Sequence, residues 1–571
     1  MPSLKKLLSD SVIYGLSSIV GRFLNYLLVP LYTYKIAAAT GGYGVVTNIY
    51  AYTALLLVIL TFGMETTFFF FANKYGRERY KEVFSTVLGA VGSVGVLFVV
   101  LVLLFINPIA DTLGYADHPN YLRAMAFVVA LDAFQAILFS RLRHEGKAWK
   151  FAGLKLGFIV LSMALNLFVF LLAPNIADKP LMGWFNADDM VGYIFYINLF
   201  CTAVITLGFV RELKDFSFSS FSLELLRPML RYAWPLLLFG IVGILNQVAD
   251  KILLPFLLPG EQGQIELGKY GACVKIAMLM AIITQAFRYA YEPFVFGMGT
   301  KKKGAVSDGK DMKESKETQA AATKYFVMFT LLAFLAVMGY MDVFKYLISS
   351  DYWEALPAVP IVMVAEILMG IYFNLSFWYK LTGATWWGAV MSAVGCVVLF
   401  AVNIVFVPKI GYMACAWGGL AGYGICVLMS YFIGQRKNPV PYPVKTILGF
   451  FAMALALYFV MQKVAIEPLG WRLAFNTAML LVYVAVFAMC EKRLVAGIFG
   501  RVKGFLRIAV IVIPITVFSL SATGCQKNCV CTGFNGVEHV YSEDEVDAQG
   551  GSCSNMIIQA ETRYYSFCEW R

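Results

Sequence analysis

The chain has 571 residues, of which 60% are apolar and only 14% charged, and its formal net charge is +11. Soluble domains run at roughly 45–50% apolar and about 25% charged, so this chain has too few charges to cover several water-soluble domains. Its apolar runs are continuous rather than alternating, which also excludes a membrane β-barrel.

In chain order the runs fall at 10–33, 44–72, 82–107, 119–140, 151–173, 190–210, 232–258, 268–298, 323–347, 355–379, 383–407, 411–434, 443–463 and 471–490. Each reaches the roughly 20 residues that cross a bilayer core of about 30 Å. Inside lipid the backbone must satisfy its own hydrogen bonds, so the runs are expected to be helices. The expected fold is an all-α polytopic membrane protein of about fourteen helices. Met1 to Asp10 is short and basic and leads into a full-length run without a small-residue cleavage site, so no cleaved signal peptide is expected.

Connections alternate in basic content. One side carries 30 Lys and Arg, among them Lys74, Arg77, Arg143, Lys147 and the seven between Lys301 and Lys324, and the other carries 8. That asymmetry predicts that both ends of the fourteen-span unit lie in the cytoplasm, and it explains the net charge without a nucleic-acid partner. The longest polar connection, Thr300 to Thr323, reads as a flexible loop midway through the spans.

An internal repeat is also legible. At an offset of 225, Gly15 falls on Gly240, Asn25 on Asp250 and Pro30 on Pro255. At 227, Tyr43 and Gly44 fall on Tyr270 and Gly271, and Glu65 on Glu292. Spans 1–6 and 7–12 are therefore expected to be two repeats, with spans 13 and 14 appended. In domain terms, 1–299 holds helices 1–6 and the start of the second lobe, 300–323 is a loop, and 324–490 completes the lobe and the two added helices. A basic segment with a short apolar run follows at 491–524, then a tail at 525–571.

Five basic residues lie inside the predicted spans: Arg22, Lys155, Lys251, Lys275 and Arg288. At roughly 2.5–3.5 kcal/mol each they cost on the order of 10 kcal/mol, unless they face water, an acid or an anion. Asp250 beside Lys251, and Glu292 one turn beyond Arg288, offer local partners. Arg22, Lys251, Lys275 and Arg288 sit on corresponding elements of the repeat and are the expected anion-binding residues, Arg suiting phosphate bidentately. Lys155, near a span end, is expected to snorkel. Glu65, Asp250 and Glu292 are candidate cavity or coupling acids. Pro235, Pro255 and Pro293 are expected to kink spans 7 and 8. There is no Walker P-loop, no zinc-type Cys/His spacing and only three His, so ATP-driven transport by this chain alone is not expected, nor a cofactor or metal.

The stretch Ser11-Val12-Ile13-Tyr14-Gly15-Leu16 through Gly21-Arg22-Phe23-Leu24-Asn25-Tyr26, with Val29-Pro30-Leu31-Tyr32, resembles the opening helix of bacterial polysaccharide biosynthesis flippases. These belong to the multidrug/oligosaccharidyl-lipid/polysaccharide exporter superfamily. Gly42-Tyr43-Gly44-Val45, Gly63-Met64-Glu65, Ala249-Asp250-Lys251 and Ala286-Phe287-Arg288 to Glu292-Pro293-Phe294 fit the same pattern, and the resemblance covers roughly residues 1–495. It implies two six-helix lobes around a V-shaped cavity and alternating access. The implied cargo is undecaprenyl-diphosphate-linked oligosaccharide, with membrane lipid and polysaccharide polymerase machinery as partners. A lipid II flippase is the near alternative. A multidrug exporter of the superfamily fits less well, because span 1 carries Arg22 where such exporters carry an acid. A membrane-embedded glycosyltransferase or polymerase lacks support in the short outer connections.

Beyond Cys490 the chain changes character. A basic stretch, the apolar run Ile508 to Leu520 and Ser521-Ala522-Thr523-Gly524-Cys525 resemble a bacterial lipoprotein signal, making Cys525 a lipidation candidate; a fifteenth short span is the alternative. Cys529, Cys531, Cys553 and Cys568 are disulfide candidates of an extracytoplasmic tail, with three pairings open.

Overall fold

The computed structural model describes positions 20, 26–176, 183, 185–300, 309–381, 384–464, 466–492, 529–533, 538–541 and 565–570, without the side chains of 289–290 and 292–315. Thirteen helices among the described residues are long and apolar enough to cross a membrane. The predicted first span falls mostly outside the described residues. The chain divides into two compact units, Met1–Val484 and Ala485–Arg571.

The first half contains α1 (Leu28–Lys35), α2 (Gly42–Thr61), α3 (Met64–Tyr75), α4 (Tyr80–Leu104), α5 (Pro119–His144), α6 (Ala148–Leu167) and α7 (Met190–Leu207). The second contains α8 (Leu223–Leu257), α9 (Gln262–Thr300), α10 (Gly309–Gly339), α11 (Ala358–Leu375), α12 (Trp386–Ile410) and α13 (Tyr412–Lys437), followed by α14 (Val444–Lys463) and α15 (Leu469–Cys490). In α14 and α15 only 17% and 11% of the most apolar window is buried, against 28–67% in the other spans. Two helices that bury so little stand at the margin of the bundle, as an appended pair would. Large apolar side chains such as Val96, Leu104, Val160, Leu207, Val397 and Leu481 are exposed. In water that belt would be costly; in lipid it is the expected outer surface.

Span 2 departs from the predicted continuous helix. Phe62 (φ 50°) and Gly63 (φ 68°) both adopt the left-handed region and split it into α2 and α3. The break sits against α8: a Cβ on Gly63 would lie 3.0 Å from the Leu236 Cβ. Glycine tolerates that conformation and that approach together. By contrast α8 is one helix of 35 residues running through Pro228, Pro235 and Pro255.

The halves meet tightly where α2 and α9 begin. A Cβ on Gly44 would fall 1.8 Å from the Gln264 carbonyl oxygen, and one on Gly268 would fall 3.0 Å from the Gly44 nitrogen. One on Gly271 would lie 2.7 Å from Thr47 Oγ1. Gly44 and Gly271, equivalents in the predicted repeat, thus serve the same crossing. Hydrogen bonds close the seam: Tyr115 OH donates to Asn48 Oδ1 (2.6 Å), Asn48 Nδ2 to the Lys251 carbonyl (2.7 Å) and Tyr352 OH to the Ile36 carbonyl (2.7 Å). At the other end of span 2, Phe70 stacks on Tyr232 at 4.5 Å, and Leu225, Met229 and Ala233 of α8 join the core of the first half.

In the second unit, β1 (Cys529–Gly533), β2 (Glu538–Tyr541) and β3 (Tyr565–Trp570) form an antiparallel sheet in the order β2-β1-β3. Register sets Cys531 opposite His539 on one side and Cys568 on the other, while Cys529 faces Tyr541 and Trp570. Cys525 and Cys553 lie outside the described residues.

Candidate functional site

Near the end of α8, Lys251 and Asp250 form a close pair. Lys251 Nζ donates to Asp250 Oδ1 at 3.0 Å and to the Gln247 carbonyl at 2.9 Å. Tyr270 OH, from α9, donates to Asp250 Oδ2 at 3.0 Å. Asp250 is 6% exposed, so burial of its charge is offset by the donors Lys251 and Tyr270. Lys251 is therefore satisfied within the protein. Lys275 lies roughly 20 Å along α9 from Gln262, at mid-span depth, and its charged neighbour is Lys251. It forms no ion pair with a described acid. Glu366 of α11 also belongs to this group: Lys251 and Asp250 are its charged neighbours, and its Oε2 is buried without a hydrogen bond among the described residues. The structure thus sets Asp250, Lys251 and Lys275 near one another, and adds an acid that sequence reasoning missed. Glu366 carried a signal, since an acid alone in an apolar run is as costly as a base.

Arg288 stands apart from them. A straight span of about 20 residues from Gln262 ends near Ile282, so Arg288 belongs to the interfacial end of α9 rather than its middle. It is exposed, and its guanidinium lies 5.0 Å from the Phe373 ring centroid, within cation–π range. Around it is a recess of about 240 Å³, counting its open mouth, lined by residues of α9, α10 and α11.

In the first half, Glu65 on α3 accepts from Arg143 Nη2 at 3.0 Å and from Ser140 Oγ at 3.2 Å. Lys155 places its ammonium 4.1 Å from the Phe139 ring centroid and has Asp132, another unforeseen membrane acid, as a charged neighbour. Around the junction of α5 and α6, Arg141, Lys147 and Lys150 tie into Glu145, Glu212 and Asp215. Burial pushes the Glu145 carboxyl up, but hydrogen bonds from Lys147 and Arg141 outweigh it and hold the group below the ordinary carboxylate range. This network is closed on itself and braces the helix ends. Arg22 and the side chain of Glu292 lie outside the described residues, as does Cys525.

A model of the family described as "Polysaccharide biosynthesis protein" matches residues 7–288, which span α1 to α8 and reach Arg288 on α9. Over those residues, just under half of the chain, it is similar to that family. No curated protein sequence matches the chain. Among solved structures, the chain resembles "Lipid II flippase MurJ, inward closed conformation" at TM-score 0.63 and 15% identity, over 86% of this chain and 100% of that one. An inward-facing multidrug resistance MATE family transporter of the MOP superfamily gives 0.56 at 16% identity, over 72% and 93%. The MATE multidrug transporter DinF-BH gives 0.53 at 16%, over 77% and 96%. At these identities the likeness concerns the fold. The chain, with thirteen helices among the described residues long and apolar enough to cross a membrane, thus shares the helical fold of these transporters.

Proposed function

We propose that this protein is a flippase that carries an undecaprenyl-diphosphate-linked oligosaccharide from the cytoplasmic to the outer leaflet by alternating access. The reading is carried by one observation: a family match to polysaccharide biosynthesis proteins ending at Arg288, an exposed arginine at the end of a span. Lys275 supplies a cation at mid-depth with no acidic partner among the described residues, and a diphosphate is the ligand whose charge suits both. Glu65, Asp250, Glu366 and Glu292 are the acids available for coupling to an ion gradient. With the basic connections in the cytoplasm, the α2–α9 seam faces the outer leaflet, and this structure is closed there. Lipid II is the second reading, since the fold matches a lipid II flippase over 86% of this chain; it shares the diphosphate and differs in its peptide.

Reconstitution of the full chain in liposomes tests the reading with fluorescent lipid-linked oligosaccharide and fluorescent lipid II in parallel. The oligosaccharide lipid is expected to cross, and Arg22→Ala and Arg288→Ala to lower its rate at least about tenfold while yield and monodispersity hold. Transport of lipid II alone would shift the assignment to the second reading. Unchanged rates in both variants would remove the two arginines from the path.

A further inference from the structure

The small sheet of the second unit arranges three of the tail's cysteines by register. β1 is its middle strand, antiparallel to β2 on one side and β3 on the other. Residues directly opposite across a ladder share a face of the sheet, and so do residues two apart along a strand. Cys531 therefore shares a face with Cys568 on β3 and His539 on β2. Cys529, opposite Tyr541 and Trp570, lies on that same face. Val530, Thr532, Val540, Phe567 and Glu569 occupy the other. The register is regular from Cys529 to Thr532, and its shift against β3 falls past the cysteines, between Thr532 and Gly533.

Cys529, Cys531, Cys553 and Cys568 admit three pairings, and backbone geometry separates those that the sheet contains. Directly opposite residues in an antiparallel pair stand about 4.5 or 5.5 Å apart at Cα, both inside the roughly 4.4–6.8 Å of disulfides. Cys531 and Cys568 meet that condition. Cys529 and Cys568 are diagonal neighbours at about 7–8 Å, outside it. Cys529 and Cys531 follow each other along one strand, which holds their Cβ atoms about 6.6 Å apart against the roughly 3.5–4.5 Å that an S–S bond spans. We propose that Cys531 and Cys568 form a disulfide that staples β1 to β3. Two thiols join in one S–S bond. Their two protons and two electrons pass to an oxidant disulfide outside the cytoplasm, whose own S–S bond is reduced to two thiols. Such a bond forms and persists in an oxidising compartment, so the sheet folds on the far side of the membrane from the basic connections. A segment as short as 525–571 also gains from it, since below about 70–80 residues a core alone rarely supplies enough stability. A shared metal suits the row less well. His539 and Cys568 lie two strand spacings apart, about 9.5 Å, whereas zinc holds every ligand atom within roughly 2.0–2.3 Å. The staple is independent of what the membrane unit carries.

The test is disulfide mapping of the full chain, purified from bacterial cells whose thiols are alkylated with N-ethylmaleimide at lysis. Trypsin cuts after Lys527 and Arg563, leaving Cys568 on the last peptide and Cys529, Cys531 and Cys553 on the one before it. The two peptides are expected as one linked species that separates on reduction, in at least about tenfold excess over their unlinked, alkylated forms. Fragmentation of the linked species is expected to place the bond at Cys531. Cys529→Ser with Cys553→Ser is expected to keep the link, and adding Cys531→Ser to that variant to abolish it. Alkylated Cys531 and Cys568 in the unmodified chain would overturn the proposal, whether or not zinc copurifies. A bond from Cys568 to Cys529 or Cys553 would overturn it as well.

Discussion

Lys251 illustrates how a membrane cation can be fully provided for by its own fold. Its ammonium is held by Asp250 and a backbone carbonyl, and Asp250 in turn accepts from Tyr270. Removing one member of a buried pair leaves the other uncompensated, at a cost of about 3–5 kcal/mol, whereas replacing both with apolar groups of similar size is close to neutral. Asp250→Ala is therefore expected to lower the melting temperature of the detergent-solubilised protein markedly, and Asp250→Leu with Lys251→Met to recover at least half of the loss. A double variant no better than the single one would mean that the pair is not an isolated electrostatic unit. Residue by residue, the cations were legible in the sequence because a lysine or arginine in an apolar run stands out. Their partners were not. Tyr270 and Glu366 reach Asp250 and Lys251 from other helices, and hydropathy says nothing about which helices pack together. The start of α9 at Gln262 rather than 268 sets Arg288 toward the end of its span.

At the scale of elements, the crossing of α2 and α9 decides what must move. Gly44 and Gly268 bring two backbones together, and Thr47 packs over Gly271, so the seam leaves no room for side chains and is held by few of them. Opening it demands separation of the two helices as bodies. An ideal Cβ on Gly271 lies 3.3 Å from the Thr47 Cβ, close to the roughly 3.5–4.5 Å of disulfides. Thr47→Cys with Gly271→Cys is accordingly expected to cross-link under mild oxidant and to cut transport at least about tenfold, with recovery on reduction. Full transport by the cross-linked protein would show that this seam stays closed throughout the cycle. Tyr43-Gly44 and Tyr270-Gly271, which the sequence offered as repeat equivalents, both lie at this crossing, although nothing in the sequence signals that the two helices touch. The split of span 2 at Phe62 and Gly63 was beyond the sequence, because a phenylalanine gives no local reason to adopt a left-handed conformation.

The whole molecule has an orientation that its helices alone leave open, since a bundle of spans fits a bilayer either way up. The asymmetry of 30 basic residues against 8 breaks that symmetry, because Lys and Arg resist translocation. Exposed positions on the two sets of connections make the argument testable. Lys74 and Lys214 belong to the basic set, and Asp117 and Lys409 to the other. In intact cells with a permeable outer membrane, an impermeant maleimide is expected to modify Asp117→Cys and Lys409→Cys and to spare Lys74→Cys and Lys214→Cys until the inner membrane is broken. The substitutions are placed in a background with Cys490 and the five tail cysteines changed to serine, in which the remaining described cysteines of the spans are buried. The reverse pattern would turn the α2–α9 seam toward the cytoplasm and make this closed seam an inner gate. Flipping toward the outer leaflet would then have to start from a different conformation.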